Sequence, residues 1–122
     1  MELGKLDIYK LSVELSNMAW EIFNLLQKPL QFNIGDQMIR SIDSIGANIA
    51  EGYGRFHYKD SIKFYYNARG SLWESKHWFY LLHKRKLITR ETFEKGIDLL
   101  NTLGKKLNSF IQRIKQNEGI KK

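Results

Sequence analysis

The chain has 122 residues, no cysteine, and 20 Lys and Arg against 13 Asp and Glu, for a formal net charge of +7. A chain of this length makes one domain that buries roughly two-thirds of its unfolded surface without staples. The absence of cysteine excludes disulfides and thiolate metal sites and suits a cytoplasmic protein. Glu2, Lys5 and Asp7 make the start unlike a signal peptide, and no apolar run approaches the roughly eighteen residues of a membrane span.

The charge is unevenly placed. Residues 1–62 hold 6 Lys and Arg against 8 Asp and Glu, net −2, whereas residues 63–122 hold 14 against 5, net +9. A basic half can be a solvated surface or a face turned toward a polyanion, because clustered positive charge draws phosphate backbones.

The apolar residues recur at helical spacing, without β-branched alternation. A first helix is expected over about 6–27. Its seam is Ile8, Leu11, Leu15, Met18, Ile22 and Leu25, with a second stripe of Tyr9, Val13, Ser16, Trp20 and Phe23 beside it. Pro29 is expected to end it, since proline lacks the N–H and restricts Lys28. A second helix over about 34–52 carries Met38, Ile42, Ile45 and Ile49. Asn33 is its candidate cap, Asp36 suits its positive end, and Gly52 and Gly54 stop it. Gly46 in its middle costs about 1 kcal/mol against alanine, which implies a close neighbour or a bend.

A third helix over about 59–84 sets Phe64, Tyr65, Ala68, Ser71, Leu72, Ser75, Phe79 and Leu82 on one side. The small residues among them invite close helix approach. Tyr66, Trp73 and Tyr80, seven apart, lie well round from that side. A fourth helix over about 90–116 is capped by Thr89, with Glu91 and Glu94 in its first turn and a seam of Phe93, Ile97, Leu100, Gly104, Leu107, Ile111 and Ile114. The tail from Gly119 to Lys122 is expected to fray. Four long helices with short loops predict an all-α, antiparallel up-down four-helix bundle in a single domain, 1–122.

The stretch Ser44-Ile-Gly-Ala-Asn-Ile-Ala-Glu-Gly-Tyr-Gly-Arg55, then Phe64 and Ala68-Arg-Gly-Ser-Leu-Trp-Glu74, resembles the bacterial proteins encoded in intervening sequences of 23S ribosomal RNA. Gln37 and Arg40 upstream also match, and the resemblance covers essentially the whole chain. Gly46 stands where the family usually has proline, and Ser41 where it usually has alanine. The resemblance implies a four-helix bundle that assembles as a ring-like homo-oligomer, commonly a pentamer. It extends to the accessory proteins of diversity-generating retroelements, which implies a reverse transcriptase and nucleic acid as partners. No biochemical role is implied for the intervening-sequence members themselves.

Asn48, Glu51, Arg55, Arg69, Ser71 and Glu74 carry the shared motifs. A carboxylate–guanidinium network tying the second and third helices is the expected role, against a ligand or subunit contact. Val13, Trp20, Tyr66, Trp73 and Tyr80 form an outer aromatic stripe that exposure would make costly, so burial between subunits is expected. The rival is a base-stacking platform flanked by cations. Lys59, Lys63, Lys84, Arg85, Lys86, Lys105, Lys106 and Arg113 are the candidate nucleic-acid contacts, and all but Lys59 are expected to form one continuous surface. Lys84-Arg85-Lys86 also suits the negative end of the third helix. His57, His77 and His83 show no metal-ligand spacing, and no phosphate-loop, nucleophile-elbow or zinc-protease motif is present. The expectation is a non-enzymatic protein with no catalytic residues, cofactor, metal or membrane contact. It would be a nucleic-acid-binding homo-oligomer or, alternatively, a protein-interaction scaffold.

Overall fold

The computed structural model describes residues 2–55 and 57–121, with side chains for all of these except Tyr58 and residues 118–121. Four long helices dominate: α1 (Asp7–Leu25), α2 (Asp36–Tyr53), α3 (Tyr58–Lys84) and α4 (Arg90–Lys121). No strand occurs among the described residues.

α1 packs on α2 and α4, and α3 also packs on α2 and α4. The four helices therefore make a square in which α1 and α3 are diagonal. Residue pairings give each neighbouring pair its direction. A Cβ on Gly46 would meet Ser12, and one on Gly35 would meet Phe23. Ser44 bonds Ser71 and Ser41 bonds Ser75; Arg69 bonds Asn108 while Gly96 meets Phe79; α1 must then oppose α4, with Lys106 paired to Asp7. Each pair is antiparallel, so the bundle is up-down-up-down. The core holds Leu15, Ala19, Met38, Ile42, Ile45, Ile49, Tyr65, Leu72, Phe79, Leu100, Leu103 and Leu107.

The first connection departs from expectation. α1 ends at Leu25, because Leu26 and Gln27 are extended. Pro29 does not stop the helix. It sits in the first turn of a short helical segment, Lys28–Leu30, where its missing N–H costs nothing. The Gln31 amide instead closes the end of α1 by donating to the Phe23 carbonyl at 3.0 Å. A wide turn over Gln31–Gly35, with Asn33 off helical angles, feeds into α2. Asn33 is not a cap, since α2 has no side-chain cap bond. Thr89 does cap α4, its Oγ1 accepting the Thr92 N–H at 3.1 Å. α4 continues to Lys121, past the expected end at 116. Lys122, within the expected frayed tail, lies outside the described residues, as do the side chains of that tail's other members.

Gly46 lies within a regular helix, not at a bend. A Cβ there would come 2.8 Å from Ser12 Oγ, so α1 approaches α2 closely at this point, and a larger residue would require the Ser12 hydroxyl to turn aside. Ser41, the other departure from the family pattern, is buried and has a partner across the bundle, as follows.

Candidate functional site: two opposed faces and two basic ends

The motif residues make a different network from the expected ionic one. Ser44 Oγ and Ser71 Oγ lie 2.9 Å apart, and Ser75 Oγ lies 3.1 Å from Ser41 Oγ and 2.8 Å from the Ser71 carbonyl, its one proton shared between these two acceptors. Asn48 Nδ2 donates to the Ser44 carbonyl at 2.9 Å. A short ladder of hydroxyls thus joins α2 to α3, with Ser41 and Ser75 buried. Hydroxyls serve here because ionic groups would carry a large desolvation cost in so narrow a gap.

The charged motif residues face outward and pair locally. Arg55 lies 3.6 Å from Glu51, one helical turn away, with both side chains about half exposed. Glu74 accepts from Trp78 Nε1 at 3.0 Å on α3 itself. Arg69 reaches α4, donating to Asn108 Oδ1 at 3.2 Å. Neither Glu51 nor Glu74 ties α2 to α3, and neither lies in an enclosed pocket beside a second carboxylate. Among the described residues, no three His, Cys, Asp or Glu side chains gather as a metal site would need.

The outer aromatics separate into two groups. Val13 and Trp20 lie on α1, toward α2; Tyr66, Trp73 and Tyr80 lie on α3, toward α4. Since α1 and α3 are diagonal, the two groups occupy opposite sides of the bundle. They are not one stripe. Trp20 is 57% exposed, and its ring stacks on Phe23 at 5.5 Å. Beside it runs a groove of about 230 Å³ lined by Tyr9, Val13, Ser16, Asp43, Gly46, Ala47 and Ala50. Small side chains on α2 make this groove shallow and approachable.

The α3–α4 side is aromatic and cationic. Trp73 is 63% exposed, with Lys76 Nζ 4.2 Å from the centre of its ring. Tyr66 is half-buried within the chain, with the Arg69 guanidinium 4.8 Å and Lys115 Nζ 5.2 Å from its ring centre. Tyr80 remains exposed at the far end of the stripe, packed edge-on against Phe93. Sequence reading missed Lys76 and Asn108. Lys76 was accessible from its spacing, one turn beyond Trp73; Asn108 depended on the register between α3 and α4.

The basic residues do not form the expected continuous surface. Lys84, Arg85 and Lys86 follow one another at the end of α3. Lys59 and Lys63 lie at its start, roughly 30 Å away at 1.5 Å per residue. Lys105 and Lys106 lie midway along α4, where Gly104 packs on Leu72, and with Arg113 they line a groove of about 640 Å³ between α1 and α4, on another side. Lys106 is also within 3.9 Å of Asp7. The break follows from helix length: α3 spans the bundle and carries its two basic groups to opposite ends, while Lys105 and Lys106 fall midway along α4.

No described helix is long and apolar enough to cross a membrane. A crystal structure of a protein of unknown function from the S23 ribosomal protein family of Bacteroides thetaiotaomicron VPI-5482 superimposes with a TM-score of 0.80 at 28% identity, covering 85% of this chain and 97% of that one. A search of curated proteins finds no match. The model of the 23S rRNA-intervening sequence protein family matches residues 4–109. With the corner motif, the all-helical bundle and this match in agreement, the chain belongs to the 23S rRNA-intervening sequence protein family.

Proposed function

We propose that this protein is a non-enzymatic bundle that assembles head to tail with copies of itself and presents basic ends to nucleic acid. The observation that carries the reading is the pair of opposed faces. One face offers a small-residue groove beside Trp20 and Val13, lined by Asp43 and by no cation. The other offers an exposed Trp73 against Lys76, with Tyr66 two turns away against Arg69 and Lys115. The helix pairs behind them differ in the same sense: the half of the sequence that supplies α1 and α2 is net −2, and the half that supplies α3 and α4 is net +9.

Two different, complementary patches on opposite sides fit a heterologous contact, which closes into a ring when the rotation allows. Burying an exposed tryptophan at such a contact is the usual way an interface is anchored. Five copies is the number the family resemblance implies. In such a ring each basic end would recur once per copy, raising the local field for phosphate. RNA, DNA or a ribonucleoprotein is then the partner, with a reverse transcriptase complex as the case suggested by the retroelement resemblance.

The test is the mass of the purified protein in solution, with and without nuclease, followed by binding of RNA and DNA across a salt series. The reading expects an oligomer that survives nuclease and an affinity that falls steeply with salt. A monomer, or binding indifferent to salt, contradicts it. The separation of the basic residues into distant groups favours one rival, an oligomeric scaffold for a protein partner. That rival predicts a specific protein captured in pull-downs after nuclease treatment, and no nucleic-acid affinity.

A further inference from the structure

We propose that the turn after α3 holds an unpaired nucleotide of a single-stranded nucleic acid, with a base against the Tyr80 ring and a phosphate between Lys84 and Lys86. The proposal rests on the nucleic-acid reading above and narrows it to one site and one kind of strand.

α3 closes with two backbone bonds, Leu87 N–H to the Leu82 carbonyl at 2.9 Å and Lys86 N–H to the His83 carbonyl at 3.0 Å. This closure needs a left-handed residue just past the helix, a place glycine normally takes because a Cβ is crowded there. Here the residue is Lys86, with φ 60°, and among the described residues no other non-glycine has positive φ. The favourable effect of a cation at a helix C-terminus does not explain the choice. Lys84 and Arg85 already supply that charge, so glycine at 86 would give up little of it. A backbone-unfavourable lysine points to a use for its ammonium group.

Its side chain borders a cavity of about 580 Å³ lined also by Tyr80, His83, Lys84 and Phe93. The aromatic wall is preorganised. His83 lies nearly flat on Phe93, with centroids 4.3 Å apart and planes 12° apart, and Tyr80 meets Phe93 edge-on at 5.2 Å. Tyr80 is still 53% exposed. No carboxylate lines the cavity. Among the described residues Lys84, Arg85 and Lys86 have no ion-pair partner, whereas Arg40, Arg55, Arg90 and Lys106 each have one. An exposed ring beside two unpaired ammonium groups is the chemistry that holds single strands, by base stacking and phosphate contact. A duplex keeps its base faces stacked inside and offers Tyr80 no ring to cover.

Fluorescence anisotropy with a labelled single strand and the matching duplex tests this on the intact chain. The single strand should bind about tenfold more tightly than the duplex. Tyr80→Leu should weaken single-strand binding about tenfold without changing its salt slope, while Tyr80→Phe keeps the ring and the affinity. Lys86→Gly should lower the slope of log affinity against log salt by about 0.7 and raise the melting temperature, which also shows that the variant folds. Equal affinity for strand and duplex, an inert Tyr80→Leu, or an unchanged slope in Lys86→Gly overturns the site and leaves the broader reading standing. A wild-type chain that binds neither form overturns both.

Discussion

Replacing Trp73 by alanine separates assembly from folding. Trp73 is 63% exposed in the isolated chain, which leaves roughly 150 Å² of a side chain of about 250 Å² to be covered by a neighbour. At about 25 cal/mol per Å² that cover is worth about 4 kcal/mol, and ordering the side chain takes back about 1 kcal/mol. The remaining 3 kcal/mol corresponds to roughly a hundredfold weaker association per contact. Folding of the single chain should hardly change. Most of the Trp73 ring faces solvent, and the contact of Lys76 with it at 4.2 Å contributes about 0.5–1 kcal/mol at an exposed site. Sedimentation velocity over a dilution series reads the first effect, and urea unfolding of the dissociated chain reads the second. An unchanged mass at every concentration, or a loss of several kcal/mol in folding, would refute the reasoning, since either would place Trp73 somewhere other than a subunit contact.

The core and its chemistry give further expectations. Gly96→Ala sets a Cβ against the buried Phe79 ring, 2.8 Å from Cζ; this overpacking should cost about 1–3 kcal/mol by urea unfolding, even with alanine's better helix propensity. Gly70→Ala meets nothing within 4 Å and should stabilise by up to about 1 kcal/mol, so the two variants must move in opposite directions. Burial, with Tyr53 nearby, pushes the Tyr65 hydroxyl up from its ordinary 10.0 to about 12. The fold therefore favours the neutral phenol, a contribution fully present below pH 10 and lost as the pH rises toward 12. Stability should fall by roughly 2–3 kcal/mol across that window. Tyr65→Phe should flatten the fall, and an identical alkaline profile in wild type and Tyr65→Phe would contradict it.

The helices were legible because each carries a long seam at helical spacing, and period is the strongest signal a sequence offers. Their pairing was legible from short connections. The first corner was misread because Pro29 breaks a helix interior but suits a helix start, and only the extended Leu26 and Gln27 decide which applies. The hydroxyl ladder was half legible. Ser71 and Ser75 were seen as small residues that allow close approach, but their bonds to Ser44 and Ser41 depend on the register between α2 and α3. Placement around the square was the main thing hidden. Trp20 and Trp73 look alike in sequence, each outside its seam, and nothing local reveals that one turns toward α2 and the other toward α4. Lys86 at φ 60° was also out of reach, since a lysine-rich helix end gives no sign of which residue turns left-handed.

Mixing two crippled copies tests head-to-tail assembly most directly. Trp20→Ala damages one face and Trp73→Ala the other, so each variant alone should sediment largely as monomer. In a one-to-one mixture, the intact Trp73 face of the first can meet the intact Trp20 face of the second. The account predicts a heterodimer joined by that single wild-type contact, visible by native mass spectrometry and absent from either variant alone. If each variant dimerises by itself and mixing adds nothing, like faces meet like, and the head-to-tail account is wrong.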